Sequence, residues 1–304
     1  MIITKTPLRI SLLGGNTDFP KYFKRYGGAV LTTTIDKYVY CIVKERFDKQ
    51  IWINYSKKEI VNNVVDIKHG LVREAMKLTG VTEGVEITFL SDIPSQGSGL
   101  GSSSAVTVGL LNALHNYKGK SVTARQLAEE ACHIEVDILK SPIGYQDQYA
   151  VAFGGFNLIE FGRWIDVTQR ELIDPEEMML FYTEMQRDSN SILSKMKLNK
   201  KILDQNKELV RQAKSFPIGV LLNKYWDLKK KLNKYVTNPK IDQMYEQALE
   251  AGASGGKIVG AGGGGFLLLS VPTEKQAGIR QLGWRELKFN LSKYGSKVIF
   301  DING

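Results

Sequence analysis

Residues 94–104 read PSQGSGLGSSS, and this run of glycines and serines decides how the chain is interpreted. It follows an expected strand at residues 85–89 and leads into an apolar-periodic helix over residues 103–117. Glycines let the backbone approach an anion closely, and free N–H groups at the positive end of a helix bind phosphate. A flexible linker is the alternative, but a linker does not lead into a strongly patterned helix. The run therefore predicts a phosphate-binding loop formed by Gly97, Ser98, Gly99, Leu100, Gly101, Ser102, Ser103 and Ser104.

Two other phosphate-binding patterns can be tested against the sequence. The P-loop pattern GxxxxGK[ST] fails, because the GKS at residues 119–121 has Leu114 where the first glycine is required. A GxGxxG match occurs at residues 260–265, but residues 266–271 have the composition of a strand and not of the helix that a dinucleotide site needs. The glycine- and serine-rich run remains the phosphate-binding candidate.

Three segments share a pattern with one enzyme family. PSQGSGLGSSSA at residues 94–105 is similar to the PxxxGLGSSAA signature of the galactokinase, homoserine kinase, mevalonate kinase and phosphomevalonate kinase (GHMP) family. PLRISLLGGNTD at residues 7–18 resembles the first motif of that family, and KIVGAGGGGF at residues 257–266 resembles the third. The resemblance implies an α+β, two-lobed fold with ATP between the lobes. The implied domains are an N-terminal lobe like ribosomal protein S5 domain 2 at residues 1–177 and a ferredoxin-like C-terminal lobe at residues 178–304.

A helix expected over residues 123–140 carries one carboxylate on its apolar side. At about 100° per residue its apolar side chains form a single arc, and Glu135 projects from the middle of that arc. An inward carboxylate is costly unless a cation or a metal ion pairs with it, so a core salt bridge and a metal site are the two interpretations. The resemblance implies the second, with Glu135 and Ser103 holding Mg²⁺. The arc consists of Leu127, Ala128, Ala131, Cys132, Ile134, Ile138 and Leu139.

The segment GYQDQ at residues 144–148 carries Asp147, twelve residues beyond Glu135. Taken alone, an aspartate flanked by glycine and amides in a loop is a turn residue. The resemblance implies a larger role, because family members with a catalytic carboxylate have an aspartate at this offset that takes the proton from the acceptor hydroxyl. Arg9, in the first motif, is expected to steady Asp147 and the phosphoryl group during transfer.

The first motif also indicates which substrate accepts the phosphoryl group. Asp18 stands where sugar-kinase relatives use an aspartate to bind sugar hydroxyls, and Asn16 can assist it. Gly15 departs from the GEHTD pattern of galactokinase. The segment is closer to the PLRISxxGGxTDxP pattern of bacterial D-glycero-D-manno-heptose 7-phosphate kinases, which phosphorylate the anomeric hydroxyl, while fucokinase-like or hexose 1-kinase activity is the alternative. The remaining candidate substrate ligands are Arg187, for the distal phosphate, and Gly262 and Gly263 of the third motif.

The net charge of +9 comes from one segment. Residues 187–240 contain 14 Lys or Arg and 4 Asp or Glu, and the rest of the chain is nearly neutral. Apolar residues at helical spacing interleave with these lysines, so a solvated helix face is the first interpretation and attraction of anionic substrates is the second. A nucleic-acid-binding or regulatory relative that has lost catalysis is a further hypothesis. It predicts loss of the catalytic and metal-binding residues, all of which are present.

The chain shows no pattern of export or membrane insertion. Its first 13 residues are too interrupted by polar residues to form a signal-peptide core, and no run has the length needed to span a bilayer. Cys41 and Cys132 have neither the spacing of a zinc site nor that of a disulfide framework. We therefore expect a cytoplasmic enzyme whose partners are ATP and a small-molecule sugar phosphate, with no nucleic acid and no membrane.

Overall fold

Two β-sheets organise the chain in the computed structural model, which describes residues 1–94, 97–171, 174–185, 189–196 and 198–302. The strands are β1 (Ile2–Leu13), β2 (Gly28–Glu45), β3 (Ile51–Asn54), β4 (Lys58–Val61), β5 (Val85–Ser91), β6 (Phe156–Phe161), β7 (Ile165–Arg170), β8 (Met178–Tyr182), β9 (Gly255–Ile258), β10 (Phe266–Ser270) and β11 (Lys297–Asp301). The helices are α1 (Pro20–Tyr26), α2 (Gly70–Thr79), α3 (Ser102–Tyr117), α4 (Ala124–Cys132), α5 (Gln146–Phe153), α6 (Ser189–Leu193), α7 (Lys200–Gln212), α8 (Ile218–Leu232), α9 (Pro239–Glu250) and α10 (Gln276–Gln281). The α+β class expected from the sequence is confirmed.

Strand β2 is the centre of the first sheet. Its first half pairs with β6 and its second half with β5, while β1 runs antiparallel to it over almost its whole length. The strand order is β11-β1-β2-β5-β3-β4, and β6 and β7 extend the sheet from the first half of β2. The sequence predicts two strands at residues 29–35 and 38–43. They form one strand, because an irregularity in the pairing with β1 accommodates Asp36 and Lys37.

The burial pattern along β1 changes at its midpoint. Residues 2–6 alternate between buried and partly exposed, as in a strand with one solvated face, whereas residues 8–13 are buried throughout. Helix α3 contacts β1 and β2, and α7 and α8 from the second half of the chain also contact β1. The turn that follows Leu13 therefore lies where elements from both halves of the chain meet.

The second sheet has the order β8-β10-β9, with both pairings antiparallel, and it begins at Met178. The strand β10 follows the third glycine run directly, so the expectation that a strand and not a helix follows residues 260–265 is confirmed. The last strand, β11, leaves this half of the chain and pairs with β1 at the edge of the first sheet. The division into residues 1–177 and 178–304 stays a prediction.

The expected helix over residues 123–140 changes its geometry halfway. Thr123 caps α4 by accepting a hydrogen bond from the backbone N–H of Gln126, as the sequence predicts. Residues His133–Ile138 then form a π-helix, in which the N–H of Leu139 bonds the carbonyl of Ile134, five residues earlier. The wider turn leaves Ile138 exposed, so its assignment to the buried arc is wrong.

The lysine-rich helices bury the apolar residues that the sequence assigned to their inner faces. Leu203 and Leu209 of α7 and Leu221 and Leu232 of α8 are all buried. Within the described ranges, no helix combines the length and the apolar character that crossing a bilayer requires.

Candidate active site

A cleft of about 760 Å³ opens where the end of β1, the start of α3 and helix α8 come together. Most of the predicted site residues line it, although they come from distant parts of the sequence. They are Arg9, Gly15, Asn16, Asp18, Gly97, Ser98, Gly99, Gly101, Ser102, Ser103, Ser104, Glu135 and Asp147. Three described residues of the prediction, Leu100, Gly262 and Gly263, do not line the cleft. Arg187 lies outside the described residues.

The glycine- and serine-rich loop has a backbone that suits an anion. Gly97, Gly99 and Gly101 have φ values of 76°, 78° and 74°, in the left-handed region that glycine adopts without strain. Helix α3 follows at once, with Gly101 at its N-cap and, among the described residues, no side-chain hydrogen bond that caps its first turn. The N–H groups of that turn therefore keep their hydrogen-bonding capacity for a ligand, and the 16-residue helix adds the positive end of its dipole.

The third glycine run supports this loop from behind. A Cβ atom on Gly260 would lie 2.6 Å from Cα of Gly99, and one on Gly265 would lie 2.6 Å from the carbonyl oxygen of Gly97. Only glycine permits so close a contact between the two backbones. By contrast, Gly262 packs against Val236, so its part of the run faces away from the cleft.

Leu100 and Gly263 have structural contacts instead of positions in the cleft. The side chain of Leu100 is fully buried, and its carbonyl accepts a hydrogen bond from the backbone N–H of Arg9 at 2.9 Å. The N–H of Gly263 donates to the carbonyl of Val236 at 2.5 Å. Leu100 therefore fixes the loop to β1, and Gly263 fixes the third run to the turn after α8.

Glu135 lies beside the start of α3 and is only 1% exposed. Its Oε2 accepts from Ser103 Oγ at 3.0 Å and from Ser104 Oγ at 3.4 Å, and its Oε1 accepts from Gln148 Nε2 at 3.2 Å. Burial, with a smaller contribution from the nearby charge of Asp147, raises the pKa of the Glu135 carboxyl to about 7 against these hydrogen bonds. In the described part of the chain no basic side chain forms an ion pair with Glu135, so the core salt bridge is not observed.

The residues beside the loop fit a magnesium ion. The hydroxyl of Ser103 and the carboxylate of Glu135 offer two oxygen ligands within hydrogen-bond distance of each other. Mg²⁺ prefers oxygen ligands, retains waters and is commonly bound by one or two protein groups together with phosphate oxygens. No cluster of three or more His, Cys, Asp or Glu side chains occurs among the residues that the structure describes. The protein would thus supply only part of the coordination shell.

Arg9 and Asp147 form a bidentate ion pair in the cleft. The Nε of Arg9 donates to Asp147 Oδ1 at 2.7 Å, its Nη2 donates to Oδ2, and its Nη1 donates to the carbonyl of Gly99 at 2.7 Å. Arg9 is 4% exposed, whereas the Asp147 side chain is 23% exposed and can meet a ligand. The sequence predicts a loop at residues 144–148. This prediction is wrong for Asp147, which lies in the first turn of helix α5.

Asp18 lies at the other end of the cleft, next to the start of α5. Its Oδ2 accepts the backbone N–H of Gln146 at 3.1 Å, while its Oδ1 is buried without a hydrogen-bond partner among the residues that the structure describes. Burial raises the pKa of the Asp18 carboxyl to about 6, with a smaller contribution from the charge of Asp147. Gly144 makes room for this carboxylate, since a Cβ there would lie 2.0 Å from Asp18 Oδ2.

We expect Asp18→Asn to raise the free energy of unfolding at neutral pH. The raised pKa means that the contribution of Asp18 to stability is fully present below pH 3.8 and is lost as the pH rises through 6. A shift of about two pKa units corresponds to about 3 kcal/mol as an upper value. The amide can still accept the Gln146 N–H and does not ionise. Urea unfolding at pH 4.5 and pH 7.5 measures the difference.

The control for this prediction is Asp166→Asn on the exposed side of β7, which should unfold like the unmodified protein at both pH values. The advantage of the Asp18→Asn variant should be largest at pH 7.5 and should shrink toward pH 4.5. An advantage that does not depend on pH, or a variant that is less stable at pH 7.5, would contradict the prediction.

Lys229 is a cleft residue that the sequence analysis missed. It lies on α8 in the lysine-rich segment, yet it is 2% exposed, and its Nζ donates to the carbonyls of Ile258 at 3.1 Å and Gly260 at 2.5 Å. It thereby holds the third glycine run that supports Gly99. A signal was present in the sequence, because Lys229 falls on the same helical face as the buried Tyr225. The interpretation of this segment as a solvated face is wrong for Lys229.

Tyr225 and Gln146 also line the cleft, and neither is among the site residues predicted from the sequence. Tyr225 comes from α8 and is 2% exposed. Gln146 is the first residue of α5, and its Oε1 is buried without a partner in the described structure. Neither position can be found from local sequence, because each depends on a contact between segments far apart in the chain.

Comparison with protein families gives two matches along the chain. The model for the GHMP kinases N terminal domain matches residues 53–155, which include the glycine- and serine-rich loop, Glu135 and Asp147. The model for the GHMP kinases C terminal region matches residues 200–287, which include the third glycine run.

Three proteins illustrate the similarity. A D-glycero-alpha-D-manno-heptose 7-phosphate kinase from Campylobacter jejuni is 31% identical over 319 residues, covering 92% of this chain and 93% of its own. An L-fucokinase/L-fucose-1-P guanylyltransferase from Bacteroides fragilis is 26% identical over 338 residues, covering 91% of this chain and 35% of its own. The crystal structure of a D-glycero-D-manno-heptose 1-phosphate kinase from Bacteroides thetaiotaomicron has a TM-score of 0.77 at 26% identity and covers 99% of both chains.

Proposed function

Since the chain belongs to the GHMP kinase family, we propose that it phosphorylates the anomeric hydroxyl of D-glycero-D-manno-heptose 7-phosphate to give the 1,7-bisphosphate. The chain is an ATP-dependent phosphotransferase with a sugar acceptor, and it has the two-lobed fold of its family. The heptose is supported by the 31% identical kinase and by the GGNTD sequence at residues 14–18. The product would enter nucleotide-activated heptose and surface-polysaccharide synthesis in the cytoplasm.

The glycine- and serine-rich loop supports the proposed position of ATP. The backbone amides of residues 97–104 and the first turn of α3 offer N–H donors for the phosphates. Ser103 and Glu135 would hold Mg²⁺, which supplies charge neutralisation at the β- and γ-phosphates when it is bound. Lys229 keeps the third glycine run under Gly99, which preserves the shape of the loop.

The proposed reaction is an in-line transfer. The anomeric oxygen attacks the γ-phosphorus, the bond from that phosphorus to the β–γ bridging oxygen breaks, and ADP leaves. Asp147 accepts the proton of the attacking hydroxyl, and Arg9 orients Asp147 through two hydrogen bonds. The guanidinium also stabilises the negative charge of the phosphoryl group during transfer. Asp18 and Asn16 bind acceptor hydroxyls.

One observation carries this proposal: Ser103, Glu135, Asp147 and Arg9 line a single cleft next to a helix N-terminus. Phosphoryl transfer depends on positioning and charge neutralisation. Ser103 and Glu135 supply two oxygen ligands for a metal ion, and Asp147 supplies a base that Arg9 orients. The sugar is supported by Asp18 Oδ1, which is buried without a partner from the described part of the chain, because such an acceptor suits a hydroxyl donor.

A comparison of acceptors tests the proposal. The purified chain is incubated with Mg·ATP and, separately, D-glycero-D-manno-heptose 7-phosphate, D-mannose 6-phosphate, L-fucose and D-galactose. ADP release is followed by a coupled assay, and ³¹P NMR locates the new phosphate. We expect kcat/KM for the heptose phosphate to exceed that for the unphosphorylated sugars by more than about tenfold, with phosphate at the anomeric position.

Two results would overturn the heptose assignment. A preference for L-fucose would support the fucokinase-like alternative, which the 26% identical Bacteroides fragilis protein favours. Phosphate at any position other than the anomeric carbon would reject the proposed reaction. Reactions with EDTA in place of Mg²⁺ serve as the control and should show no transfer.

A further inference from the structure

Gly15 of the first motif lies against a tyrosine from the other end of the chain. A Cβ atom on Gly15 would be 2.6 Å from Tyr225 Oη but 3.7 Å from Tyr225 Cζ. The first distance is a clash and the second is an ordinary van der Waals contact, so the hydroxyl alone excludes a side chain at position 15. Helix α8 thus fills the space that a side chain of the first motif would occupy.

The ring of Tyr225 is held firmly while its hydroxyl has no partner. The side chain is 2% exposed and lines the cleft, and among the described residues no hydrogen bond to its hydroxyl is found. Lys257 Nζ lies 4.3 Å from the ring centroid and donates to the carbonyl of Leu12 at 2.8 Å, so the ring and the cation are both fixed in place. Because Tyr225 lines the cleft, this hydroxyl is available to pair with a ligand.

Two other residues that line the same cleft, Gln146 and Asp18, have buried acceptors without a partner among the described residues. Gln146 Nε2 would be 3.8 Å from the same Cβ atom on Gly15, and Gln146 Oε1 is buried without a partner in the described structure. Asp18, three residues from Gly15 in the sequence, has an Oδ1 that is likewise buried with no partner in the described ranges. Groups from the first motif, α5 and α8 therefore converge on one region whose free acceptors suit the hydroxyl donors of a polyhydroxylated ligand.

We propose that Tyr225 is a specificity-determining residue whose hydroxyl binds a hydroxyl group of the sugar acceptor, with Gln146 beside it. The proposal rests on the proposed function for the class of acceptor. Tyr225 also forms the wall of the acceptor pocket at Gly15, so the pair sets the shape of the pocket from both halves of the chain. Gly15, the second glycine of the GG sequence, is then explained by a residue more than two hundred positions away, whereas a Cβ atom on Gly14 would lie 2.0 Å from the carbonyl oxygen of Ala29.

Tyr225→Phe removes the hydroxyl and leaves the ring. We expect KM for the sugar phosphate to rise about tenfold, which is the loss of one hydrogen bond to a neutral group. KM for ATP and the unfolding temperature should stay at the unmodified values, because the ring keeps its packing. Tyr235→Phe is the matched control, since Tyr235 is half exposed in the same basic segment. An unchanged KM for the acceptor, or a rise confined to KM for ATP, would overturn the proposal.

A second pair of variants tests the contact itself. Gly15→Ala places a methyl group against the Tyr225 hydroxyl and should lower kcat/KM for the acceptor by about tenfold or more. In the double variant with Tyr225→Phe the methyl group meets only Cζ at an ordinary distance, so kcat/KM should return to that of Tyr225→Phe. Additive losses in the double variant would overturn the proposal.

These measurements are separable from the test of the heptose. The unmodified chain is assayed on the panel above, and the variants are compared on whichever sugar it phosphorylates fastest. If that sugar is not the heptose phosphate, the proposed function fails while the Tyr225 comparison proceeds on the other sugar. If the heptose phosphate is turned over with equal KM by the unmodified chain and Tyr225→Phe, only the inference about Tyr225 fails.

Discussion

Asp147→Asn is expected to lower kcat by about 10²–10⁴-fold, the range over which a positioned general base contributes. The amide has the size of the carboxylate and can still accept one hydrogen bond from Arg9, but it cannot take the proton of the acceptor hydroxyl. Nucleotide binding should be retained, because the hydrogen bond from Arg9 Nη1 to the carbonyl of Gly99 in the phosphate loop does not use Asp147. ADP release measures turnover, and titration of a fluorescent ATP analogue measures binding.

The control for this variant is Asp137→Asn on the exposed side of the π-helix, ten residues earlier in the chain. It changes the net charge by the same amount near the cleft and should leave kcat unaltered. Undiminished turnover by Asp147→Asn would reject its role as the base. Loss of nucleotide binding in parallel with turnover would instead assign Asp147 to the structure of the loop, through its pairing with Arg9.

Glu135→Gln is expected to lower turnover by about 10²–10³-fold and to raise the Mg²⁺ concentration needed for half-maximal rate. The substitution removes a charge and keeps the volume. The new amide oxygen can still accept from Gln148, and the new amide nitrogen can donate to the Ser103 hydroxyl, which then acts as the acceptor. The protein should not be destabilised, because burial already raises the pKa of the Glu135 carboxyl to about 7 and thus disfavours its ionised form. Rate against Mg²⁺ concentration and the thermal unfolding midpoint are the measurements.

Glu129→Gln on the exposed side of α4 is the matched control, since it removes the same charge from the preceding turns. It should change neither the rate nor the dependence on Mg²⁺. A Glu135→Gln variant with the Mg²⁺ dependence of the unmodified chain would reject the assignment of this carboxylate to the metal. A large fall in the unfolding temperature would show that the Glu135 carboxylate stabilises the folded protein.

The three motifs made the first part of the site predictable. Each motif is a short local pattern that imposes a backbone conformation, and the positive φ values at Gly97, Gly99 and Gly101 are what such a pattern requires. The inward position of Glu135 was also predictable, because a single charge in an apolar arc is visible in the sequence.

The rest of the site depends on features without a local signal. A period of 100° per residue cannot anticipate a π-helix, so the exposure of Ile138 was missed. The helix that carries Asp147 is only eight residues long and follows a proline and a glycine, which favour a loop. The contact between Gly15 and Tyr225 joins residues from opposite halves of the chain, and only the packed structure reveals it.

The return of β11 to the first sheet has a consequence for synthesis on the ribosome. The backbone groups of residues 2–5, on the outer edge of β1, pair with residues 297–301, which are translated almost three hundred residues later. Until residues 297–301 emerge, the nascent polypeptide carries an open strand edge, which is a site for mispairing with other chains. Emergence of β11, and not completion of the amino-terminal half, is therefore the event that pairs this edge.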